Sequence, residues 1–150
     1  MESQLQSPMN VKRLLLAIVA GFIFVFASDF LIHHYWLGPD YKATASLWRP
    51  ESEMQQRFAW MFVGQFLCAV AFSVIWAKGF AGRDLGTGAF FGLFMGIAQQ
   101  VWAIAFFVVA PLPGTLAVRW FLSGLLQAVI LGVIIAAVYK PDAMRTERGV

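Results

Sequence analysis

Two ionisable residues, Asp29 and His33, stand four positions apart in an apolar stretch and are the main candidates for chemistry. Residues at i and i+4 share one face of a helix, so the carboxylate and the imidazole would lie side by side. Such a pair can relay a proton or supply two ligands to a metal. The metal interpretation is weak, because the only other histidine is the adjacent His34 and zinc or copper needs three or four ligands. The plainer alternative is a pair of interface histidines with Asp29 as a hydrogen-bond partner.

Further polar residues interrupt the apolar stretches at comparable depths. With a helical rise of about 1.5 Å per residue, all of them fall in the same half of the bilayer as Asp29, so every helix contributes to one polar layer. An amide or a carboxylate in hydrocarbon is unfavourable unless it is paired, which turns these side chains toward one another. The layer is either a hydrogen-bonded lock between helices or a binding or permeation site that opens outward. The residues concerned are Ser28, Gln65, Gln99, Gln100 and Gln127.

No catalytic motif accompanies these residues. The sequence has no Gly-x-Ser-x-Gly nucleophile elbow, no His-Glu-x-x-His motif and no phosphate-binding loop. We therefore predict a protein that is not an enzyme and that has no cofactor and no bound metal. Lipids are the only small molecules that we expect it to contact.

The elements that position the polar residues are predicted from composition and run length. Sixty per cent of the residues are apolar and 13% are charged, whereas a soluble domain has roughly 25% charged residues. Four apolar stretches reach the roughly 20 residues that a membrane-spanning helix needs, and they lack the alternation of barrel strands. The prediction is a single all-α domain, 1–150, forming a four-helix transmembrane bundle. The predicted spans cover about 14–34, 58–77, 88–110 and 120–139.

Basic residues predict the orientation of the bundle. Seven Lys and Arg residues fall on the side of the two termini and four on the other side. This bias favours both termini in the cytoplasm, in a multi-pass protein of the cytoplasmic (inner) membrane. The net charge of +3 does not indicate nucleic acid as a partner, because the basic residues are scattered singly near the span ends.

One sizeable loop, 37–57, is predicted on the outer side. Within it, Arg49-Pro50-Glu51-Ser52-Glu53 is typical of a helix start, since acidic residues favour the positive end of the helix dipole. The second span is therefore expected to begin as an amphipathic extension above the membrane. No loop is long enough for a soluble domain, so the function is expected in the membrane or at its outer rim.

Small residues spaced four apart form stripes along the third and fourth spans. Such stripes let helix backbones approach closely in lipid, so we expect these spans to form a tight hairpin. The alternative is that one stripe faces a second copy or a partner. The predicted packing residues are Gly88, Gly92, Gly96, Gly124, Ala128 and Gly132.

A short internal match raises the possibility of two parallel hairpin repeats. Gln65 precedes Lys78 by 13 positions, and Gln127 precedes Lys140 by the same number. Some transporters are built from such repeats. Low-complexity apolar sequence also produces such matches by coincidence.

Three segments carry a resemblance to a group of small bacterial membrane proteins. They are Asp29-Phe30-Leu31-Ile32-His33, then Ala43-Thr44-Ala45-Ser46-Leu47-Trp48-Arg49-Pro50-Glu51, and Val138-Tyr139-Lys140-Pro141. The chain resembles, over most of its length, a group of four-helix integral membrane proteins that carry no assigned activity. A glycine tends to follow the first histidine in that group, and His34 stands there in this chain. The resemblance implies the topology and draws attention to Asp29 and His33, and it implies no function.

Two functions are open at this point. The first is an accessory or assembly subunit of a larger membrane complex, whose partners are the lipid bilayer and other membrane subunits or a second copy. The second is a small transporter or channel-like protein with an outward-facing polar site around Asp29 and His33.

Overall fold

The computed structural model describes residues 9–140, and every regular element among them is helical. Four helical segments of 26, 21, 25 and 25 residues are long and apolar enough to cross a membrane, which confirms the predicted four-helix transmembrane bundle. Residues 141–150 lie outside the described part of the chain. They include two of the seven basic residues on the side of the termini, Arg145 and Arg148, and also Pro141. The helices are α1 (Val11–Phe30), α2 (Gly38–Ala43), α3 (Glu51–Arg57), α4 (Ala59–Gly79), α5 (Leu85–Val109) and α6 (Gly114–Val138).

The first span changes its winding before it ends. α1 begins where Asn10 caps it by accepting a hydrogen bond from the Arg13 backbone N–H at 2.9 Å. It then continues as a π-helical segment, Leu31–Trp36, in which the Leu37 N–H donates to the Ile32 carbonyl five residues back. Single π turns inside helices occur frequently at functional sites, and this one carries His33.

Close packing of α5 against α6 confirms the predicted hairpin. A Cβ added to Gly88 would lie 2.6 Å from the Ala136 Cβ, and one added to Gly96 would lie 2.8 Å from the Ala128 Cβ. A Cβ on Gly92 would meet the Ala128 carbonyl oxygen directly. The missing side chains let the two backbones touch, so these glycines face inward rather than toward a partner.

The other hairpin, α1 with α4, packs less closely. A Cβ on Gly21 would lie 3.5 Å from the Ala69 Cβ, and one on Gly64 would meet nothing within 4 Å. The two hairpins thus differ in their contacts, and the proposed internal repeat stays a prediction. An apolar core of aromatic and aliphatic residues joins the four helices in their other half, with Phe72, Trp76, Phe91, Leu131 and Ile135 at its centre.

The segment 37–57 is folded rather than irregular. The short helix α2, a 3-10 turn at Ala45–Leu47 and α3 follow one another across one end of the bundle, which we call the loop end. α3 begins at Glu51 directly after Pro50, as the sequence predicts, and meets α4 at Phe58. Leu37 is buried against Leu112 and Leu116, which fixes this segment on the turn before α6. α6 itself begins at Gly114, directly after Pro113 and six residues before the predicted start at 120. Arg119, which the prediction left outside the span, lies within this helix and pairs with Asp40.

Candidate functional site

Asp29 receives hydrogen bonds from two other helices. It lies one residue before the end of α1, where its Oδ2 accepts from the Gln65 Nε2 of α4 at 2.7 Å and its Oδ1 accepts from the Gln127 Nε2 of α6 at 2.8 Å. The carboxylate therefore joins three of the four spans. Hydrogen bonds between helices in lipid fix the register of those helices.

Ser28 extends this cluster by one hydroxyl. Its Oγ accepts from the Gln127 Nε2 at 2.7 Å and donates to the Phe24 carbonyl of its own helix at 2.7 Å. A single amide of α6 thus holds two neighbouring side chains of α1. The predicted association of Ser28, Asp29, Gln65 and Gln127 is present in the structure.

One buried polar atom in the cluster has no partner among the described residues. The Gln65 Oε1 is enclosed and accepts no hydrogen bond there, although the Nε2 of the same amide is paired with Asp29. A buried acceptor without a bond lowers stability by about 1–3 kcal/mol. Stability alone therefore does not account for the choice of an amide at this position.

The two adjacent glutamines of α5 do not join Asp29, so the expected single layer is divided. The Gln99 side chain is exposed on the lateral surface of the bundle, and its amide donates to the Cys68 Sγ of α4 at 3.3 Å. The Gln100 amide packs directly on Gly124 of α6, with no hydrogen bond to another described residue. Successive residues on a helix point about 100° apart, so only one of the two can face inward.

Gly124 differs in its contacts from Gly132, the other glycine of its stripe, which packs on the backbone of α5. A Cβ at this position would collide with the Gln100 amide rather than with a neighbouring backbone. The sequence predicts Gly124 as a backbone contact, and the structure corrects this. The glycine makes room for a polar side chain.

A cavity of about 400 Å³ opens beside this cluster at the loop end. Its walls come from α1 and the π-helical segment, from α5 and from α6, with Trp48 of the loop segment at its edge. The volume falls within the range of small-molecule sites, about 300–1,000 Å³. The ionisable and amide groups that line it are Asp29, His33, Gln100 and Gln127.

Aromatic side chains make up much of the remaining wall. Trp102 and Phe106 of α5 are in contact with ring centroids 4.9 Å apart, and Phe106 contacts Trp120 at 6.0 Å. Trp48 and Trp120 meet at 6.0 Å. Both Trp48 and Trp120 line the cavity.

The loop segment is tied to the cavity through Tyr41, which the sequence analysis did not single out. The Trp120 Nε1 donates to the Tyr41 Oη at 2.8 Å, and the same hydroxyl lies 2.6 Å from the His33 Nδ1. Burial raises the pKa of Tyr41 to about 12, so the phenol keeps its proton in the physiological range. A neutral hydroxyl can accept from one ring and donate to the other.

A salt bridge closes the same end of the molecule. The Arg119 guanidinium lies 2.6 Å from the Asp40 Oδ2, and the two side chains are 43% and 24% exposed. The sequence carried one signal for it, since a lone arginine next to an apolar run needs a partner and Asp40 is one of three acids in the loop segment.

The site offers no ready metal centre among residues 9–140. No group of three or more His, Cys, Asp or Glu side chains is gathered there. His34 packs on Phe30 with ring centroids 5.1 Å apart and is absent from the cavity wall, while Asp29 and His33 both belong to it.

Comparison with known proteins adds no assignment to this site. No protein-family model, no curated protein and no solved structure matches the chain.

Proposed function

We propose that this protein is a small carrier of the cytoplasmic membrane, which receives a small ligand from the outer side in the cavity at Asp29. The observation that supports this most directly is the cavity itself. It combines a carboxylate, an imidazole and two amides with an aromatic wall, at the end of the bundle predicted to face outward. Intramembrane ionisable residues commonly mark such paths.

The hydrogen-bonded lock alone is a weaker account of the same residues. A lock needs Gln65, Gln127, Ser28 and Asp29, and it leaves Gln100 without a reason to face the cavity. It also gives no reason for Gly124, whose missing side chain keeps space for the Gln100 amide. Binding gives a role to all of these residues.

Access of water-soluble reagents tests the carrier proposal. In a Cys68→Ser background, Gln100→Cys places a thiol in the cavity wall, and Val101→Cys places one at the same depth on the lipid-facing surface, where Val101 is 56% exposed. Membrane-impermeant methanethiosulfonates, one cationic and one anionic, are added to right-side-out vesicles.

We expect at least one of the reagents to modify Gln100→Cys and neither to modify Val101→Cys. The reason is that only a hydrated cavity admits the reagent and lets the thiol ionise. Equal reactivity of the two positions, or no reaction at Gln100→Cys, would contradict an outward-opening cavity.

A second candidate function, an accessory subunit of a membrane complex, is favoured by one observation. The exposed Gln99 amide of α5 donates to the half-buried Cys68 of α4 at the surface of the bundle, where hydrocarbon would otherwise surround the amide. An exposed amide in lipid is better satisfied by a neighbouring protein. Co-purification of other membrane proteins at a fixed stoichiometry, lost in Gln99→Leu, would support the subunit over the carrier.

A further inference from the structure

We infer that the ligand of the Asp29 cavity is an organic ammonium cation with an apolar body. This inference rests on the proposed function, because it names the class of molecule that the carrier site would accept. It is carried by the charge, the hydrogen-bonding capacity and the composition of the cavity wall.

The charge of the cavity favours a cation. Asp29 is the one carboxylate in its wall, and no lysine or arginine among the described residues lines it. Gln65 and Gln127 solvate the carboxylate but do not compensate its charge. A carboxylate without a compensating charge in its cavity attracts a cation and repels an anion.

Asp29 retains the capacity to bind a ligand. A carboxylate has about four acceptor positions on its two oxygens. The Gln65 amide occupies one position on Oδ2, and the Gln127 amide occupies one on Oδ1. The remaining positions are available to an ammonium group, and the Gln100 amide, which has no hydrogen bond to another described residue, adds a further polar group to the same wall.

The aromatic wall distinguishes an organic cation from a metal ion. Calcium takes six to eight oxygen ligands, and magnesium needs a near-octahedral set. Indole and phenyl rings offer none of these, whereas the faces of tryptophan attract organic cations and pack on apolar groups. Four aromatic side chains line the cavity, and they are Trp48, Trp102, Phe106 and Trp120.

The test compares three probes of similar shape on the whole protein in nanodiscs of zwitterionic lipid. They are the cation benzylammonium, its uncharged carbon analogue ethylbenzene, and the anion benzoate. Binding is measured by titration calorimetry, with empty nanodiscs as the control for partition into lipid. We expect saturable binding of the cation alone.

Two variants and a matched control locate the site. Asp29→Asn removes the carboxylate and should weaken binding of the cation by at least about tenfold, since the charge attraction is lost. Trp102→Leu removes one ring face and should weaken it by roughly 3- to 30-fold. Asp84→Asn makes the same change in net charge at the opposite end of α5, where asparagine caps a helix equally well, and should leave binding unchanged.

Where a probe does bind, three results would overturn the inference. They are equal binding of the uncharged analogue, preferential binding of the anion, and undiminished binding of the cation by Asp29→Asn and Trp102→Leu. If no probe binds while Gln100→Cys reacts from outside, the cation inference fails and the accessible cavity stands. If Gln100→Cys does not react either, the proposed function fails as well.

Discussion

A carboxylate within a membrane span persists only where other groups satisfy it, and Asp29 has two amides for this purpose. The two amides are not equivalent. Gln127 donates to both Asp29 and Ser28, whereas Gln65 donates to Asp29 and its own oxygen has no hydrogen-bond partner among the described residues. The contribution of Gln127 to stability should therefore exceed that of Gln65.

We predict that Gln127→Leu and Gln65→Leu each lower the free energy of unfolding, with the larger effect in Gln127→Leu. Polar contacts between helices in membranes are worth about 0.6 kcal/mol on average and up to about 1.7 kcal/mol, which sets the expected range. Denaturation by sodium dodecyl sulfate in mixed micelles measures the difference. Gln99→Leu is the matched control, because the exposed Gln99 amide has the Cys68 Sγ as its only hydrogen-bond partner among the described residues. A loss in Gln99→Leu as large as that in Gln127→Leu would argue against the lock.

At the scale of elements, the contact between α5 and α6 depends on the absence of side chains. Gly92 lies directly against the Ala128 carbonyl. A Cβ added to Gly92 would lie 2.8 Å from the Val129 Cα. Backbone atoms cannot move aside as the end of a flexible side chain can. One added methyl group at Gly92 would therefore push α5 and α6 apart. Because these two helices supply part of the cavity wall, the shape of the cavity depends on their close contact.

Gly92→Ala should destabilise the protein by about 1–3 kcal/mol, the usual effect of overpacking. Gly64→Ala is the control, because a Cβ there meets nothing within 4 Å and alanine favours helix by up to about 1 kcal/mol over glycine. The two variants should shift the denaturation midpoint in opposite directions, or Gly64→Ala should leave it unchanged. An unchanged denaturation midpoint in Gly92→Ala would mean that α5 and α6 lie further apart than in this structure.

At the scale of the whole molecule, the polar machinery is concentrated at the loop end. The cavity, the bonds of Tyr41 to His33 and Trp120, and the salt bridge between Asp40 and Arg119 all lie there. The opposite half of the bundle is filled by an apolar core. The groups proposed to bind a ligand therefore lie at one end of the bundle, and the side of the membrane that this end faces decides from which side a ligand could reach them.

We predict that the loop end faces outward, since seven basic residues lie on the side of the termini and four on the other. Ser46→Cys in the loop segment and Ala81→Cys in the turn between α4 and α5 test this in a Cys68→Ser background, because both positions are exposed. An impermeant maleimide should label Ser46→Cys in intact spheroplasts and Ala81→Cys only in inverted vesicles. The reverse pattern would place the cavity on the cytoplasmic side and exclude uptake from outside.

The sequence by itself determined the elements and one of their contacts. Four apolar runs of sufficient length predict four spanning helices, and Gly88, Gly92 and Gly96 predict the α5–α6 hairpin. Both follow from local properties, since run length and residue spacing are properties of a single segment. The start of α3 at Glu51 was predictable for the same reason.

Only the tertiary structure decided which polar residues meet. Depth along a span follows from residue number, but the direction of a side chain depends on how each helix is rotated against its neighbours. Gln100 therefore faces the cavity, while Gln99 faces the surface of the bundle. Gly124 packs against the Gln100 side chain rather than against the backbone of α5. The fold of the loop segment over the bundle also joins residues 79 positions apart, Asp40 with Arg119, and no periodicity within one segment encodes such a contact.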